Sequence, residues 1–291
     1  MVRTCLLDSD IKWLHVEASS KCNAWCPACP RNKNGFGVVD HLIEEDLSTA
    51  RFLEVVKQLP NLHGVQFCGN YGDPVIAADI LNLISIAKQY ANKVQIHTNG
   101  SLRTVTWWQE LALLLADIDH DVWFGLDGLA GTHEIYRQGT DYNKVIDNAT
   151  SFINAGGFAT WQFIPYAHNE HQLRDCLKTS QRLGFKKFKL VKSLRKITKA
   201  RHYRTGELFE LGVPEELEQI IEMPVSRTKV DPRDCMHLAQ PGIYLAANGK
   251  LTYCCYHHKN ISQENQFDSL QELLYNSVNL THRQCIISCG K

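Results

Sequence analysis

The hydrophobic pattern of the first two thirds of the chain alternates between short β-rich runs and longer segments with helical spacing. Apolar residues recur three and four positions apart in the longer segments, as Phe52, Val55, Val56 and Leu59 do in the first of them. This alternation predicts a parallel sheet whose strands are joined by right-handed helical crossovers. The predicted strands are residues 13–17, 65–67, 94–97, 122–126, 160–165 and 187–191.

Six strand–helix units are too few for a closed eight-stranded barrel. The pattern is compatible with a partial barrel and with an open doubly wound sheet. In both folds ligands bind at the carboxyl ends of the strands, and we therefore expect the loops at those ends to meet. The polar, turn-forming loops that follow the first four predicted strands are 22–37, 68–74, 98–100 and 127–128.

The last third of the chain has a different pattern, which begins with a run rich in Lys and Arg at 195–201. Further on, Asn248-Gly249 separates two short β-rich runs and is typical of a tight hairpin turn. The predicted elements are a helix at 214–221, strands at 243–245 and 250–253, and a helix at 269–274. The predicted division is a core at 1–195, a basic and helical connector at 196–230, and a small cysteine-rich β-hairpin and helix module at 231–291.

Composition narrows the class of protein. The chain has 291 residues, and its 31 Lys and Arg balance its 31 Asp and Glu, so no overall field favours nucleic acid or an anionic membrane. The first ten residues have no sustained apolar segment, and no run is long enough to span a bilayer. Eleven cysteines in such a chain indicate a reducing compartment and metal ligation, so we expect a cytoplasmic protein.

Three of the cysteines, Cys22, Cys26 and Cys29, lie close together in the loop after the first predicted strand. A cubane iron–sulfur cluster normally takes four thiolates. Three would leave one iron free for a substrate or cofactor, as an open position does in other metal sites. The alternatives are a zinc site, for which paired Cys-x2-Cys ligands are more typical, and ordinary reduced thiols.

The Cys-x3-Cys-x2-Cys spacing resembles the signature of the radical S-adenosylmethionine (radical SAM) enzymes. This resemblance implies an α/β fold, a partial (β/α)6 TIM-like barrel, with a [4Fe-4S] cluster that binds S-adenosylmethionine. In that family an electron from the cluster cleaves the cofactor and gives a 5′-deoxyadenosyl radical, which abstracts hydrogen from a substrate. A flavodoxin or ferredoxin is the electron donor that the resemblance implies.

Further motifs extend the resemblance. Segment 69–74 is similar to the glycine-rich "GGE" motif, with Asp73 at the glutamate position, and 98–100 resembles the "TNG" motif. Two departures are Gly125, where the family has serine, and Ala28, where an aromatic residue is common. The implied cofactor-binding residues are Gly69, Tyr71, Gly72, Asp73, Asn99, Asp127, Arg137 and Ile164.

Each of these motifs also has a plainer interpretation from the residues alone. Gly, Asn, Asp and Pro form ordinary turns. Arg137 could make a surface ion pair, and Ile164 could be a core residue.

The C-terminal cysteines surround the predicted hairpin. Their order resembles the SPASM or Twitch auxiliary cluster module, which implies an auxiliary [4Fe-4S] cluster that handles electrons or substrate. The implied ligands are Cys235, Cys254, Cys285 and Cys289, with Cys254 favoured over Cys255 by the family pattern. A structural zinc is the alternative. Cys5, Cys68 and Cys176 are interpreted as non-ligands.

The leading hypothesis is a radical SAM enzyme that acts on a peptide or a small-molecule metabolite. A non-catalytic zinc or iron–sulfur scaffold is the first alternative. A nucleic-acid modifying radical SAM enzyme is the second, and it rests on the basic run at 195–201, which is also typical of a solvated surface. No catalytic acid or base can be named from the sequence, because fold and cofactor do not determine the substrate.

Overall fold

The computed structural model describes residues 7–191, 199–212, 242–253 and 266–276. Its centre is an eight-stranded sheet with the strand order β10-β9-β1-β2-β3-β4-β5-β6. The six strands of the first two thirds are β1 (Trp13–Val16), β2 (Gly64–Phe67), β3 (Lys93–Thr98), β4 (Asp119–Gly125), β5 (Ala159–Phe163) and β6 (Lys187–Leu190). All five pairings among them are parallel, as predicted.

Helices connect these strands. They are α1 (Thr49–Val56), α2 (Ile80–Tyr90), α3 (Val105–Leu115), α4 (His133–Tyr136), α5 (Tyr142–Asn154) and α6 (Leu173–Arg182), and α7 (Leu270–Asn276) follows near the C-terminus. Short 3-10 turns lie at Asp8–Asp10, Lys33–Gly35, Pro74–Ile76 and Glu170–Gln172. The side chains of Ser48, Thr104 and Asp141 accept backbone N–H groups at the starts of α1, α3 and α5, which satisfies donors that a helix cannot satisfy itself.

The strand order decides between the two candidate architectures. In a doubly wound sheet the order reverses at a switch point. Here β1 to β6 follow one another without reversal, as strands do in a (β/α) barrel. The described strands do not close into a ring. The predicted partial barrel is therefore confirmed, and the loops after β1 to β5 lie along one end of it.

The predicted hairpin is present and joins the same sheet. β9 (Gly242–Leu245) pairs in parallel with β1, and β10 (Leu251–Thr252) pairs antiparallel with β9. Gly249 in the turn has φ +78°, a left-handed conformation that suits glycine. Leu245, Leu251 and Leu273 are fully buried in the main core. The hairpin thus shares the sheet and the core, while the proposed boundaries at 195 and 231 stay predictions.

The first part of the connector, for which the sequence pattern gave no element, contains two antiparallel strands. They are β7 (Lys199–Arg201) and β8 (Leu208–Glu210). The end of the basic run is not a solvated surface, because Ala200 is fully buried and the Arg201 guanidinium lies 4.4 Å from the centre of the Phe36 ring. The predicted helix at 214–221 lies outside the described residues.

The two faces of the sheet have opposite character. Alternate strand residues, such as Val65, Ile96, Phe124 and Phe163, are fully buried against the helices in one large core. The residues between them point to the other face, because successive side chains of a strand alternate. Among the described residues, no helix combines the length and the apolar character needed to cross a membrane.

Candidate functional site

The three clustered cysteines occupy an irregular loop, residues 22–29, which we call the cysteine loop. Turns hold it, since the Cys29 N–H donates to the Cys26 carbonyl at 3.0 Å. Asn32, fully buried, donates from Nδ2 to the same carbonyl at 3.1 Å. The Cys26 carbonyl thus accepts two local hydrogen bonds, and the Trp25 N–H donates to the distant Gln138 carbonyl at 2.7 Å.

Each cysteine faces a different loop of the barrel. Cys29 Sγ lies 3.9 Å from the Asn70 carbonyl oxygen, after β2. Cys22 Sγ lies 3.8 Å from Asn99 Nδ2, after β3. Cys26 is hydrogen-bonded by the guanidinium of Arg137, which follows β4. The cysteine loop therefore lies among the loops after β2, β3 and β4, which the sequence predicted to meet.

The surroundings of the sulfurs are apolar. The three cysteines pack with Ala24, Ala28, Tyr136, Tyr166, Ile164, Ala200, Phe209 and Leu211 in a second cluster, which we call the cysteine cluster. Burial raises the pKa of Cys26 to about 11, although Arg137 opposes the rise. Burial, together with Asp73 and the other two cysteines, also raises the pKa of Cys22. Without metal, the Cys22 and Cys26 thiols are therefore protonated at neutral pH, so metal binding to them must release protons.

The donor set fits a cluster better than a single ion. In the described part of the chain, no group of three or more His, Cys, Asp or Glu side chains is arranged to hold one metal ion. A cubane is bound at its corners, so its thiolates need not converge on one point. Three soft thiolate ligands are also the ligand type that iron–sulfur clusters take.

Segment 69–74, which we call the glycine loop, packs against the chain that leads to Cys22. A Cβ on Gly72 would lie 1.8 Å from the Ser19 carbonyl oxygen, so only glycine fits there. A Cβ on Gly69 would lie 2.5 Å from the Gly72 carbonyl oxygen. These glycines permit a close approach between segments of the protein's own backbone, while their contact with a ligand stays a prediction.

Asp73 is buried and its carboxylate is occupied by the protein. It accepts hydrogen bonds from the Thr98 hydroxyl at 2.8 and 3.1 Å, from the Asn99 N–H at 2.7 Å and from the Val75 N–H at 3.1 Å. Burial raises the pKa of Asp73, while these hydrogen bonds lower it. The side chain thus ties the loop after β2 to the loop after β3, and a contact with a cofactor from this position is left to the backbone.

Asn99 is the centre of a small polar network. Its Nδ2 donates to Asn23 Oδ1 at 3.0 Å, and its Oδ1 accepts the Ser101 hydroxyl at 2.7 Å. Asn23 in turn donates to the Ser101 hydroxyl at 2.8 Å. This network joins the cysteine loop to the end of β3 and holds Asn99 beside Cys22.

Asp127 and Arg137 form a buried ion pair, with Arg137 Nε 2.6 Å from Asp127 Oδ2. The interpretation of Arg137 as a surface residue is therefore wrong. Burial raises the pKa of Asp127, and the Arg137 guanidinium opposes that rise, because either charge alone would be buried without a partner. The departure at Gly125 follows from this pair, since a Cβ there would lie 2.7 Å from Arg137 Nη2.

Two further side chains hold this ion pair in place. His133 is fully buried; its Nδ1 accepts the Asp127 N–H at 3.2 Å and its Nε2 lies 3.0 Å from the Thr140 hydroxyl. Burial lowers the pKa of His133 to about 3, so the ring is neutral. Asn169, also fully buried, donates to the carbonyls of Asp127 and Ile164 at 3.1 and 3.0 Å.

Ile164 and Trp25 have distinct neighbours. Ile164 is half-buried in the cysteine cluster rather than in the main core, and its N–H donates to Asp127 Oδ1 at 2.6 Å. The Trp25 ring stacks on Tyr203 with ring centres 5.4 Å apart. Trp25 is thus packed against the turn between β7 and β8. The aromatic residues in the same cluster as Ala28 are Tyr136, Tyr166 and Phe209.

Sequence reasoning missed Glu17, which immediately follows β1 and has no exposed surface. Its Oε1 accepts the backbone N–H groups of Tyr71 at 2.7 Å and Gly72 at 3.2 Å, and its Oε2 accepts the Tyr244 hydroxyl at 2.7 Å. Burial raises its pKa, while these hydrogen bonds lower it. The signal was a charged residue at the end of an otherwise apolar strand.

A polar face also escaped the sequence reasoning. The strand positions opposite the helices include His15, Gln66, Gln95, His97, Trp123 and Gln162, all half-buried, which we call the polar face. Gln66 Nε2 lies 3.0 Å from His97 Nε2, and the His97 ring stacks on Trp123 at 4.5 Å. Burial lowers the pKa of His97 to about 4. The signal was a Gln or His on the side of the strand opposite the helices in β1, β2, β3 and β5.

The remaining predicted ligands cannot be placed. Cys235, Cys254, Cys255, Cys285 and Cys289 lie outside the described residues, as does Cys5. Cys176 lies fully buried in the main core, as its helical spacing predicted.

Comparison with known proteins supports the same fold. No family model matches the chain. A stretch of 134 residues is 27% identical to a tungsten-containing aldehyde ferredoxin oxidoreductase cofactor-modifying protein of Pyrococcus furiosus, covering 44% of this chain and 34% of that protein. The match thus spans about a third of the length of that relative.

Two solved structures are similar over most of the chain. SuiB of Streptococcus suis bound to the precursor peptide SuiA has a TM-score of 0.66 at 14% identity, over 94% of this chain and 66% of SuiB. Native anSMEcpe with bound AdoMet and the Cp18Cys peptide has a TM-score of 0.60 at 16% identity, over 94% and 81%. Both are radical SAM enzymes. The chain therefore shares the fold of these two structures, the fold that the sequence resemblance predicted.

Proposed function

We propose that the protein is a radical SAM enzyme in which Cys22, Cys26 and Cys29 hold a [4Fe-4S] cluster. One observation carries this proposal: each of the three sulfurs lies beside a different barrel loop, the loops after β2, β3 and β4. A ligand on the cluster corner without a cysteine would be surrounded by these loops. When bound, the cluster and S-adenosylmethionine would supply the 5′-deoxyadenosyl radical.

The residues of the site would then bind and orient this cofactor. Backbone groups of the glycine loop, at Gly69, Tyr71 and Gly72, would meet its polar methionine end. Asp73 and Asn99 would keep the two neighbouring loops in register through their hydrogen bonds. Ile164, which lies in the cysteine cluster, would provide an apolar contact.

The ion pair would have a different part. Arg137 contacts both Asp127 and Cys26, so it compensates charge on the thiolate as well as on the carboxylate. A guanidinium can also bind the carboxylate of the cofactor, because it presents several donors in a fixed plane. Asp127 and His133 would orient Arg137 for both tasks.

The substrate that fits best is a peptide. The polar face lies next to the site loops, because Gln66, His97 and Gln162 are each within three residues, along the chain, of the loop that follows their strand. Trp123 Nε1, on the same face, has no hydrogen-bond partner among the described residues and could donate to a carbonyl oxygen. Two similar structures, SuiB with the precursor peptide SuiA and anSMEcpe with the Cp18Cys peptide, contain bound peptides. A small polar metabolite is the alternative substrate class.

The auxiliary cluster remains part of the proposal on the sequence pattern alone. Cys235, Cys254, Cys285 and Cys289 would hold it, and it would pass electrons or bind substrate. A flavodoxin or ferredoxin would donate the electron for cofactor cleavage.

The test begins with anaerobically purified and reconstituted protein. We expect about eight irons per chain from two clusters, and 5′-deoxyadenosine when dithionite and S-adenosylmethionine are added. Cys26→Ala should remove about four irons and abolish 5′-deoxyadenosine. Cys68→Ala is the matched control, a nearby thiol interpreted as a non-ligand, and it should do neither. Bound zinc without cofactor cleavage would instead support the non-catalytic scaffold.

The auxiliary cluster needs its own variant. Cys235→Ala should lose about four irons and keep the ability of the first cluster to cleave the cofactor. Unchanged iron in this variant would contradict an auxiliary cluster at that position.

A further inference from the structure

A single buried carboxylate fixes the backbone of the glycine loop from below. Glu17 accepts the N–H groups of Tyr71 and Gly72 at 2.7 and 3.2 Å, and the Asn70 N–H is also bonded to it. Three consecutive N–H groups turned to one acceptor form a concave backbone arrangement that suits an anion. The shape of residues 70–72 therefore depends on the position of one side chain.

The remaining hydrogen bond to Glu17 comes from the far end of the chain. The Tyr244 hydroxyl, on β9, donates to Oε2 at 2.7 Å, across 227 residues of sequence. The tyrosine ring is fully buried and meets the His15 ring edge-on at 4.8 Å. Of the four donors to this carboxylate, three are backbone N–H groups of the glycine loop, and the Tyr244 hydroxyl is the side-chain donor to Oε2.

The glycine loop contacts the segments before and within the cysteine loop. Gly72 lies against the Ser19 carbonyl, and the Asp73 N–H donates to the Lys21 carbonyl at 2.9 Å, immediately before Cys22. On its other side, the Asn70 carbonyl lies 3.9 Å from Cys29 Sγ. A displacement of residues 70–72 would thus alter the loop that is expected to meet the cofactor.

We propose that Glu17 and Tyr244 are positioning residues of the S-adenosylmethionine site, which makes the C-terminal hairpin a structural part of that site. This inference rests on the proposed function. Removing the Tyr244 hydroxyl would leave one oxygen of a buried carboxylate unsatisfied, and the carboxylate would then shift toward another donor. The three N–H groups of the glycine loop would shift with it.

The test is Tyr244→Phe in the full-length, reconstituted protein, with Tyr253→Phe as the matched control. Tyr253, just after β10, donates its hydroxyl to the Leu273 carbonyl at 2.7 Å, so the control removes a similar hydrogen bond away from the glycine loop. We expect Tyr244→Phe to bind S-adenosylmethionine at least about fivefold more weakly by equilibrium dialysis, with unchanged iron, and the control to change by less than about twofold.

A second readout separates positioning from general destabilisation. The change in the electron paramagnetic resonance spectrum of the reduced cluster on adding S-adenosylmethionine should be altered in Tyr244→Phe and preserved in Tyr253→Phe. The double variant Glu17→Gln/Tyr244→Phe should bind the cofactor no more weakly than Glu17→Gln alone, because both changes act through one carboxylate.

The outcomes distinguish the two proposals. Equal affinities of Tyr244→Phe and wild type, or additive losses in the double variant, would overturn the positioning role alone. Wild-type protein that holds its cluster but binds no S-adenosylmethionine would overturn the proposed function, and this inference with it.

Discussion

The two faces of the sheet differ in character, and β4 contributes side chains to both of them. Phe124 points to the helices and is fully buried among aromatic rings of the main core. Its neighbours Trp123 and Gly125 point the other way, to the polar face and the Arg137 guanidinium. Adjacent residues thus have different tasks: one face provides apolar burial and the other provides hydrogen-bonding groups below the cysteine loop. The comparison teaches that substitutions one position apart should separate stability from activity.

The largest effect is expected on the core face. Phe124→Ala should lower the free energy of unfolding by about 3–5 kcal/mol, because it removes a buried aromatic ring and leaves a cavity. Urea denaturation measures this change. Below its unfolding temperature, the variant should still take up iron like the wild type. A loss below about 1 kcal/mol would contradict the assignment of this face as the core.

A pH effect of intermediate size is expected from His133, which supports the ion pair. Burial lowers the pKa of His133 in the folded protein to about 3. At pH values between this folded pKa and the higher pKa of the unfolded chain, the imidazole is protonated only in the unfolded chain. Stability should therefore fall as the pH falls from about 6.5, by about 2 kcal/mol from this group at pH 5.

Comparison of two variants isolates this contribution. Urea denaturation at pH 7.5 and pH 5 should give a smaller loss of stability in His133→Gln than in wild type. Equal losses would show that the buried, neutral imidazole is not the source.

The smallest effect on stability is expected on the polar face. Trp123→Phe should lower the free energy of unfolding by less than about 1 kcal/mol beyond the loss that the smaller buried ring causes. The reason is that no described group accepts a hydrogen bond from the Trp123 N–H. If the polar face binds substrate, the variant should cleave S-adenosylmethionine without modifying substrate to a matching extent. Chromatography measures the ratio of modified substrate to 5′-deoxyadenosine. A ratio equal to that of wild type would remove Trp123 from the substrate site.

Much of this arrangement could be predicted because it is local in sequence. The six strands lie where β-rich runs occur, within a few residues, and the Asn248-Gly249 turn forms the hairpin that this dipeptide favours. The cysteine spacing is local too, so the cysteine loop could be recognised without coordinates. The parallel order then follows from general rules of chain connection.

The rest depended on contacts between distant segments. Periodicity could not reveal that β9 pairs with β1, or that Tyr244 reaches Glu17 across 227 residues. It also could not reveal that Arg137 occupies the space beside Gly125. The role of Asp73 changed for the same reason, because its acceptor capacity is used by Thr98 and Asn99 of the next loop.

The sequence by itself determined the alternating elements, the cysteine spacing and the turns, since each depends on residues a few positions apart. Only the tertiary structure decided which donor meets which buried acceptor, and therefore which side chains brace the loops. The physical reason is that a buried charge or polar group must find its partner in space. The pairing of the strands brings those partners together from distant parts of the chain.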